Sequence, residues 1–422
     1  MKRSFQESLA GEIRRGLPAL AIITLLSVLV MAARPAFPVA FAQDMSQRVT
    51  VSTRDPGITD NSIVVGTVLP DKGTFAEMGQ AIKAVTAAVF QDVNTAGGIY
   101  NRRLELKVAD VAETPLATRL NVERLLSAEP VFAATGAFIA GSENEVLPLL
   151  TQKEVPLIGP FTLYPKTGLP LNRSVFYLLS GLDDQARALI SFSARKPEIK
   201  SGGVAVVYPQ SGNSTVVLEA IQRQSKKDGL DLQTLGYVAG RFDSAAVAKE
   251  VRQAKREAVF LLGNGEDALS FMREAEKLSW FPFILLSNPI ATSEVLSAPA
   301  GFDGRVFMAF PSSPTDQTAD GIKEFGSFAV RHQLPTRHLA TQILAYSAAR
   351  ILVEGLKRAG KDLSREKLIQ ALEGLYGYQT GLTPAITYGP KRRVGALGAH
   401  VITINLKAKQ FSAASGWISL DQ

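Results

Sequence analysis

The 422-residue sequence contains no cysteine. That excludes disulfides, zinc–thiolate sites, a cysteine nucleophile and a lipid-anchored N-terminal cysteine together. Histidine is almost as scarce, with only His332, His338 and His400. None stands at metal-ligand spacing from a carboxylate or another histidine. His332 lies near a predicted helix end and reads as an exposed side chain. No Gly-x-Ser-x-Gly elbow and no Ser/His/Asp set is evident. The sequence therefore predicts no catalytic residues, no metal and no cofactor. Charge of one sign is modest too, at a formal +7. The basic residues are scattered, with one short cluster at Lys391-Arg392-Arg393 that reads as a solvated turn. Nucleic acid is not an expected partner.

What is present suits an ordinary globular protein, with 46% hydrophobic and 20% charged residues. A chain of this length exceeds one compact core, so two domains are expected. The N-terminus stands apart. Lys2, Arg3, Arg14 and Arg15 precede the apolar run from Leu17 to Ala33, and Ala40-Phe41-Ala42 comes just before Gln43. Basic start, apolar run and Ala-x-Ala make a secretory signal peptide over residues 1–42, cleaved near Ala42. The alternative is a retained anchor, since the run approaches the roughly 20 residues of a membrane span. Removing residues 1–42 leaves a net charge of +4. Export predicts a periplasmic location.

From Ser62 the pattern alternates. Strands are predicted at 62–68, 104–110, 130–136, 155–159 and 175–180, with helices at 75–94, from Thr114-Pro115, and at 142–152. Ser142 and Glu145 are spaced as a capping box. A second set follows, with strands at 202–209, 230–238, 257–263, 281–287 and 304–310. Helices near 214–228, 244–255 and 266–279 lie between them. Near-continuous apolar strands alternating with helices imply parallel sheets covered on both faces. The tail changes rhythm, with helices at 318–331, 337–359 and 365–373 and short strands near 384–388, 399–405 and 410–418. Such a tail is able to return to the first domain.

Two segments invite chemical readings. Gly263-Asn264-Gly265-Glu266-Asp267-Ala268 matches a dinucleotide fingerprint. The acidic residue expected about 20 positions on is replaced by Ser287-Asn288, so a tight strand-to-helix turn is the better reading. Asp183-Asp184 falls where a helix begins, and helix capping explains it. Uncharged loops at strand ends remain: Ala140-Gly141-Ser142 after the third strand and Phe161-Thr162-Leu163 after the fourth. Parallel strands often meet a ligand at their carboxyl ends. N–H groups at a helix start can take a polar acceptor, although the Ser142 side chain itself reads as a cap.

Several segments, taken in order, resemble one family. They include IVVGTVLPDKGTFAEMGQAIKAV, DVNTAGGIYNRRLEL, VPLIGP and LLSGLDDQARAL. Toward the C-terminus AYSAARILVEGLKRAGKDLSREKLIQALEG and RRVGALG extend the match. From about Ile63 to Phe411 the chain resembles the exported solute-binding proteins of ABC importers, of the branched-chain amino-acid (Leu/Ile/Val)-binding type. The resemblance implies an α/β fold of two doubly wound lobes joined by three crossovers, a Venus flytrap of the type I periplasmic-binding kind. It implies a 43–60 extension, a first lobe of 61–179 plus about 311–398, and a second of 180–310 plus about 399–422. It implies a small-molecule ligand, an ABC permease partner in the inner membrane and a monomer. It does not imply enzymatic activity.

Within that resemblance, the ligand-facing positions fall on Met78, Ala140, Gly141, Ser142, Phe161, Thr162, Leu163, Asn213, Gly265 and Asn288. Thr162 is the expected polar contact, and Phe161 and Leu163 the apolar ones. Relatives that bind aliphatic amino acids place a serine, a small residue with a threonine, tyrosines and an acidic residue at these loops. The acidic position here reads Ser287-Asn288, although Glu266 and Asp267 stand near as substitutes. A buried ammonium without a partner is costly. The expected ligand is therefore a small organic compound other than a standard aliphatic amino acid, a carboxylate or amide with an apolar or aromatic body. Two other classes stay open: a ligand-sensing receptor or regulator of the same fold, and an exported enzyme.

Overall fold

The alternation of strand and helix sorts into two sheets. The computed structural model describes residues 55–287 and 293–420. The first run is β1 (Ser62–Leu69), α1 (Ala76–Thr95), β2 (Arg103–Asp110), α2 (Pro115–Ala128), β3 (Ala133–Thr135), α3 (Glu143–Gln152), β4 (Leu157–Ile158) and β5 (Val175–Leu179). The second is α4 (Leu182–Ser193), α5 (Pro197–Gly202), β6 (Val204–Pro209), α6 (Gly212–Asp228), β7 (Leu232–Tyr237), α7 (Ser244–Gln253), β8 (Ala258–Leu261), α8 (Gly265–Lys277), β9 (Phe283–Ser287) and β10 (Val306–Phe310). The tail carries α9 (Ala319–Arg331), α10 (Leu339–Ala359), α11 (Arg365–Glu373), β11 (Val394–Ala396), β12 (Gly398–Asn405) and β13 (Gln410–Ser419).

The first sheet has the order β11-β5-β4-β3-β1-β2, and all its pairs are parallel. The second has the order β13-β12-β10-β9-β8-β6-β7, parallel except where β12 pairs antiparallel with β10 and β13. Successive strand residues point to opposite faces, and both faces are buried. Ile63 and Val65 join one core with α1 and α10, while Val64 and Val68 join another with α2 and α3. In the second sheet Val204 and Val206 pack with α4 and α6, and Ala205 and Val207 with α7 and α8. That double cover explains why the strands read as apolar runs rather than alternating ones.

The chain passes between the sheets three times: β5 to α4, β10 to α9, and β11 to β12. Two of these passages are tied together. The Ser180 hydroxyl donates to the Ala396 carbonyl at 3.0 Å and accepts from Gly398 N–H at 2.8 Å. Gly398 has φ +154°, and a Cβ there would meet the Ile418 carbonyl oxygen at 2.2 Å. Only glycine allows that close approach.

Several sequence expectations need correction. Ser142 does not form a capping box with Glu145; its hydroxyl donates to the Ile139 carbonyl at 3.2 Å instead. β3 and β4 are shorter than expected. Gly136 and Gly159, at φ +61° and +62°, turn the chain out of the sheet immediately after them. Residues 384–388 are not a strand, because Ile386 makes a single bridge to Tyr378; the pairing strand is β11. The Lys391-Arg392-Arg393 cluster is not simply a solvated turn. Arg393 is fully buried, over the Phe176 ring at 4.7 Å and 2.5 Å from Glu373. Its guanidinium also bonds the Arg173 carbonyl at 3.1 Å and the Gly389 carbonyl.

Candidate functional site

The carboxyl ends of β1, β3 and β4 release three loops on one edge of the first sheet, and backbone bonds stitch them. Phe138 N–H donates to Val68 O at 2.7 Å, Phe161 N–H to Ala137 O at 2.8 Å, and Ile139 N–H to Phe161 O at 3.1 Å. The stitching brings aromatic side chains together, with the Phe75 and Phe138 rings 5.2 Å apart. Leu182 N–H then donates to Leu163 O at 2.9 Å, which docks the β4 loop on the start of α4. The loops and the crossovers enclose a cavity of about 440 Å³.

Met78, Ala140, Phe161, Thr162 and Leu163 all line this cavity. Sequence reasoning missed other lining residues: Phe75, Phe138, Leu182, Gln185, Pro311 and Leu344. Phe75 and Phe138 carry a signal, since each is an aromatic in a loop after a strand. Pro311 and Leu344 carry none, because only the tertiary fold brings them to the first sheet. Gly159 also belongs to the wall; a Cβ there would meet Ala348 Cβ at 2.5 Å, and its φ is +62°. No ionisable acid or base other than the Tyr177 phenol lines the cavity among the described residues.

The remaining sequence candidates lie elsewhere. Ser142 is buried behind the wall, and Gly141 precedes it at φ +82°. Asn213 is exposed in the first turn of α6, and Gly265 is the buried first residue of α8. Both stand at strand ends of the second sheet, outside this cavity. Asn288 lies outside the described residues. The Gly263–Ala268 segment is a tight strand-to-helix turn. Asn264 Oδ1 accepts from Asp267 N–H at 2.8 Å, and Asn264 N–H donates back to Asp267 at 3.3 Å.

The polar groups of the wall are largely committed. Thr162 Oγ1 donates to Glu143 at 2.5 Å and accepts from Tyr164 N–H at 2.9 Å. Its hydroxyl proton is thus held by a buried carboxylate behind the wall. The Tyr177 hydroxyl accepts from Lys166 N–H at 3.0 Å. Burial pushes its pKa up to about 12, with Glu143 adding to the rise.

Asp183 and Asp184 lie next to the cavity, at the start of α4. The N-cap there is Gly181, so neither aspartate caps the helix from that position. Both are in the first turn and shielded from solvent. Asp184 pairs with Arg187 at 2.8 Å, while Asp183 Oδ1 has no hydrogen-bond partner among the described residues. Burial raises both carboxyls above their ordinary range, and for Asp184 the neighbouring Asp183 charge raises it further.

The histidines are each paired with one distant carboxylate: His332 with Asp92 at 2.7 Å, His338 with Glu77 at 3.0 Å, and His400 with Asp316 at 2.7 Å. His332 is largely covered rather than exposed, because it folds back onto α1. No group of three metal-ligating side chains occurs among the described residues. A second recess of about 350 Å³ lies on α1, α9 and α10. Four of its charges pair within it, Arg331 with Asp92 and Arg350 with Glu324.

Two α/β sheets, three passages and a cavity beside them agree with a family model described as periplasmic binding protein, which matches residues 62–405. The chain belongs to the periplasmic binding protein family. That family comprises substrate-binding proteins of ABC transporters, and the fold of this periplasmic binding protein is the type I one. Similar proteins include an amino acid binding protein of Pseudomonas aeruginosa, 22% identical over 60% of this chain and 68% of the other. A Leu/Ile/Val-binding protein homolog of Brucella melitensis is 20% identical over 74% of this chain and 83% of its own. Among solved structures, the fatty acid ABC transporter substrate-binding protein of Thermomonospora curvata has a TM-score of 0.66 at 20% identity, covering 87% of this chain and 95% of its own. A branched-chain amino acid ABC transporter structure from Thermus thermophilus with bound valine also has a TM-score of 0.66, at 18% identity, covering 86% and 98%.

Proposed function

We propose that this periplasmic binding protein is exported by its N-terminal segment, cleaved near Ala42, and works as a monomer without enzymatic activity. Residues 1–42 lie outside the described residues, so the support for export is the sequence pattern and the family. The protein captures a small organic ligand in the cleft between its lobes and delivers it to an ABC permease. Contacts to both lobes favour the closed form through differential affinity. Met78, Ala140, Phe161, Thr162 and Leu163 form the first-lobe wall of the site. Gly141 and Ser142 follow Ala140 in the chain, and Asn213, Gly265 and, by its place in the sequence alone, Asn288 would add ligand contacts from the second lobe on closure.

One observation carries the ligand class: the wall is apolar and aromatic, with no carboxylate or ammonium among its described residues. Pockets of this size and lining take drug-sized apolar molecules. A zwitterion would have to give up hydration at both charges without a partner here. The ligand is therefore a compound with an apolar or aromatic body and a small polar end, not a standard aliphatic amino acid. The Thermomonospora neighbour's fatty-acid description is compatible with such a body. Native mass spectrometry of protein purified from its own periplasm tests this reading. An apolar-bodied carboxylate or amide among the released molecules supports it, and leucine, isoleucine or valine as the bound species overturns it.

A further inference from the structure

Gln185 stands out in the cavity wall, and the inference drawn from it rests on the reading of the cavity as the solute site. Thr162 and Ser180 each have a hydroxyl that donates and accepts within the protein. Gln185 is only half satisfied. Its Nε2 donates to the Ser180 carbonyl at 3.1 Å. A carbonyl cannot donate, so this bond fixes which way round the amide sits. Oε1 is then left with no hydrogen-bond partner among the described residues, on a residue only 3% exposed.

A buried acceptor without a donor is unfavourable, and such groups are rare in folded proteins. Gln185 also lines the cavity beside Leu182 and Pro311. The Nε2 bond to Ser180 leaves Oε1 as the end of the amide open to a ligand in that cavity. A neutral N–H or O–H would satisfy it there. A carboxylate would set its own lone pairs against it, and an ammonium would exchange full hydration for one neutral acceptor.

We infer that Gln185 Oε1 is the acceptor that orients the ligand, and that the ligand is a neutral molecule with an apolar or aromatic body carrying a hydrogen-bond donor, a primary amide or an alcohol. The same side chain bonds Ser180, whose hydroxyl joins two of the interlobe passages. The ligand's polar end is thus recognised at the hinge.

Calorimetry on the ligand-stripped protein tests the assignment with 3-phenylpropanamide, its N,N-dimethyl derivative and the 3-phenylpropanoate anion. The primary amide is expected to bind at least about fivefold tighter than the other two. In Gln185→Met, which keeps the length and removes the acceptor, that preference disappears while both amides still bind. Thermal unfolding checks that the variant is folded. Equal binding of the amides by the unaltered protein, a preference that survives in Gln185→Met, or tightest binding of the anion overturns the role of Gln185 but leaves the apolar cavity reading standing. If none of the three probes binds, the cavity reading itself fails.

Discussion

At the residue scale, Arg393 shows how a side chain that reads as surface charge becomes part of a core. Its side chain has no solvent exposure, and its charge is matched by Glu373, three backbone carbonyls and the Phe176 face. Glu373 also accepts from Arg173 at 3.3 Å, so removing Arg393 takes away one of its two cationic partners. Arg393→Met removes this pairing and the carbonyl bonds while Arg173 still holds Glu373, so it is expected to cost about 1 to 3 kcal/mol; urea unfolding measures it. A loss under about 0.5 kcal/mol would contradict the burial account.

Asp183 and Asp184 make a prediction of the opposite sign. Their folded pKa values are raised, by burial first. Such a group contributes stability that is fully present below its unfolded pKa and is lost as pH rises through the folded pKa. Asp183→Asn removes an acid whose Oδ1 is buried without a partner. It should raise the melting temperature near neutral pH and flatten the fall in stability as pH rises from about 4. An unchanged pH profile would show that this carboxyl ionises freely. None of this was legible in the sequence, where the Asp-Asp pair and the basic cluster look like ordinary helix-start and turn residues. Burial of a charge depends on what the rest of the chain lays over it. Thr162 is a similar case: the sequence marks it as a polar contact, but only the fold reveals that Glu143 holds its proton.

At the element scale, the sequence is a better guide. Strand and helix positions follow from the apolar runs and from the Thr114-Pro115 start of α2, where Thr114 accepts from Ala117 N–H at 3.2 Å. Strand ends are less legible, because Gly136 and Gly159 stop β3 and β4 through backbone twist rather than through a change in hydropathy. β11 was missed for another reason. Three residues supply no periodicity, and Val394–Ala396 is a strand only because it pairs with β5. The same logic makes the crossovers sensitive. Ser180→Ala leaves the buried Gly398 N–H without its acceptor, at a cost of about 1 to 3 kcal/mol. Amide hydrogen exchange should show protection falling at residues 396–398 and not in β7, which lies at the far edge of the second sheet. Equal loss of protection in both would indicate global weakening instead.

At the scale of the whole molecule, two sheets covered on both faces are joined by three passages, and an apolar cavity lies against those passages. The order of elements, the two lobes and the family could be read from the sequence. The cavity could be read only in part, because its wall combines loops close in sequence with Pro311 and Leu344, which come from far along the chain. The central claim is that this cleft takes an apolar-bodied solute and not an aliphatic amino acid. Isothermal titration of leucine into ligand-stripped protein tests it most directly. The account predicts no binding at micromolar protein concentrations, and saturable leucine binding with a micromolar or lower Kd would contradict it.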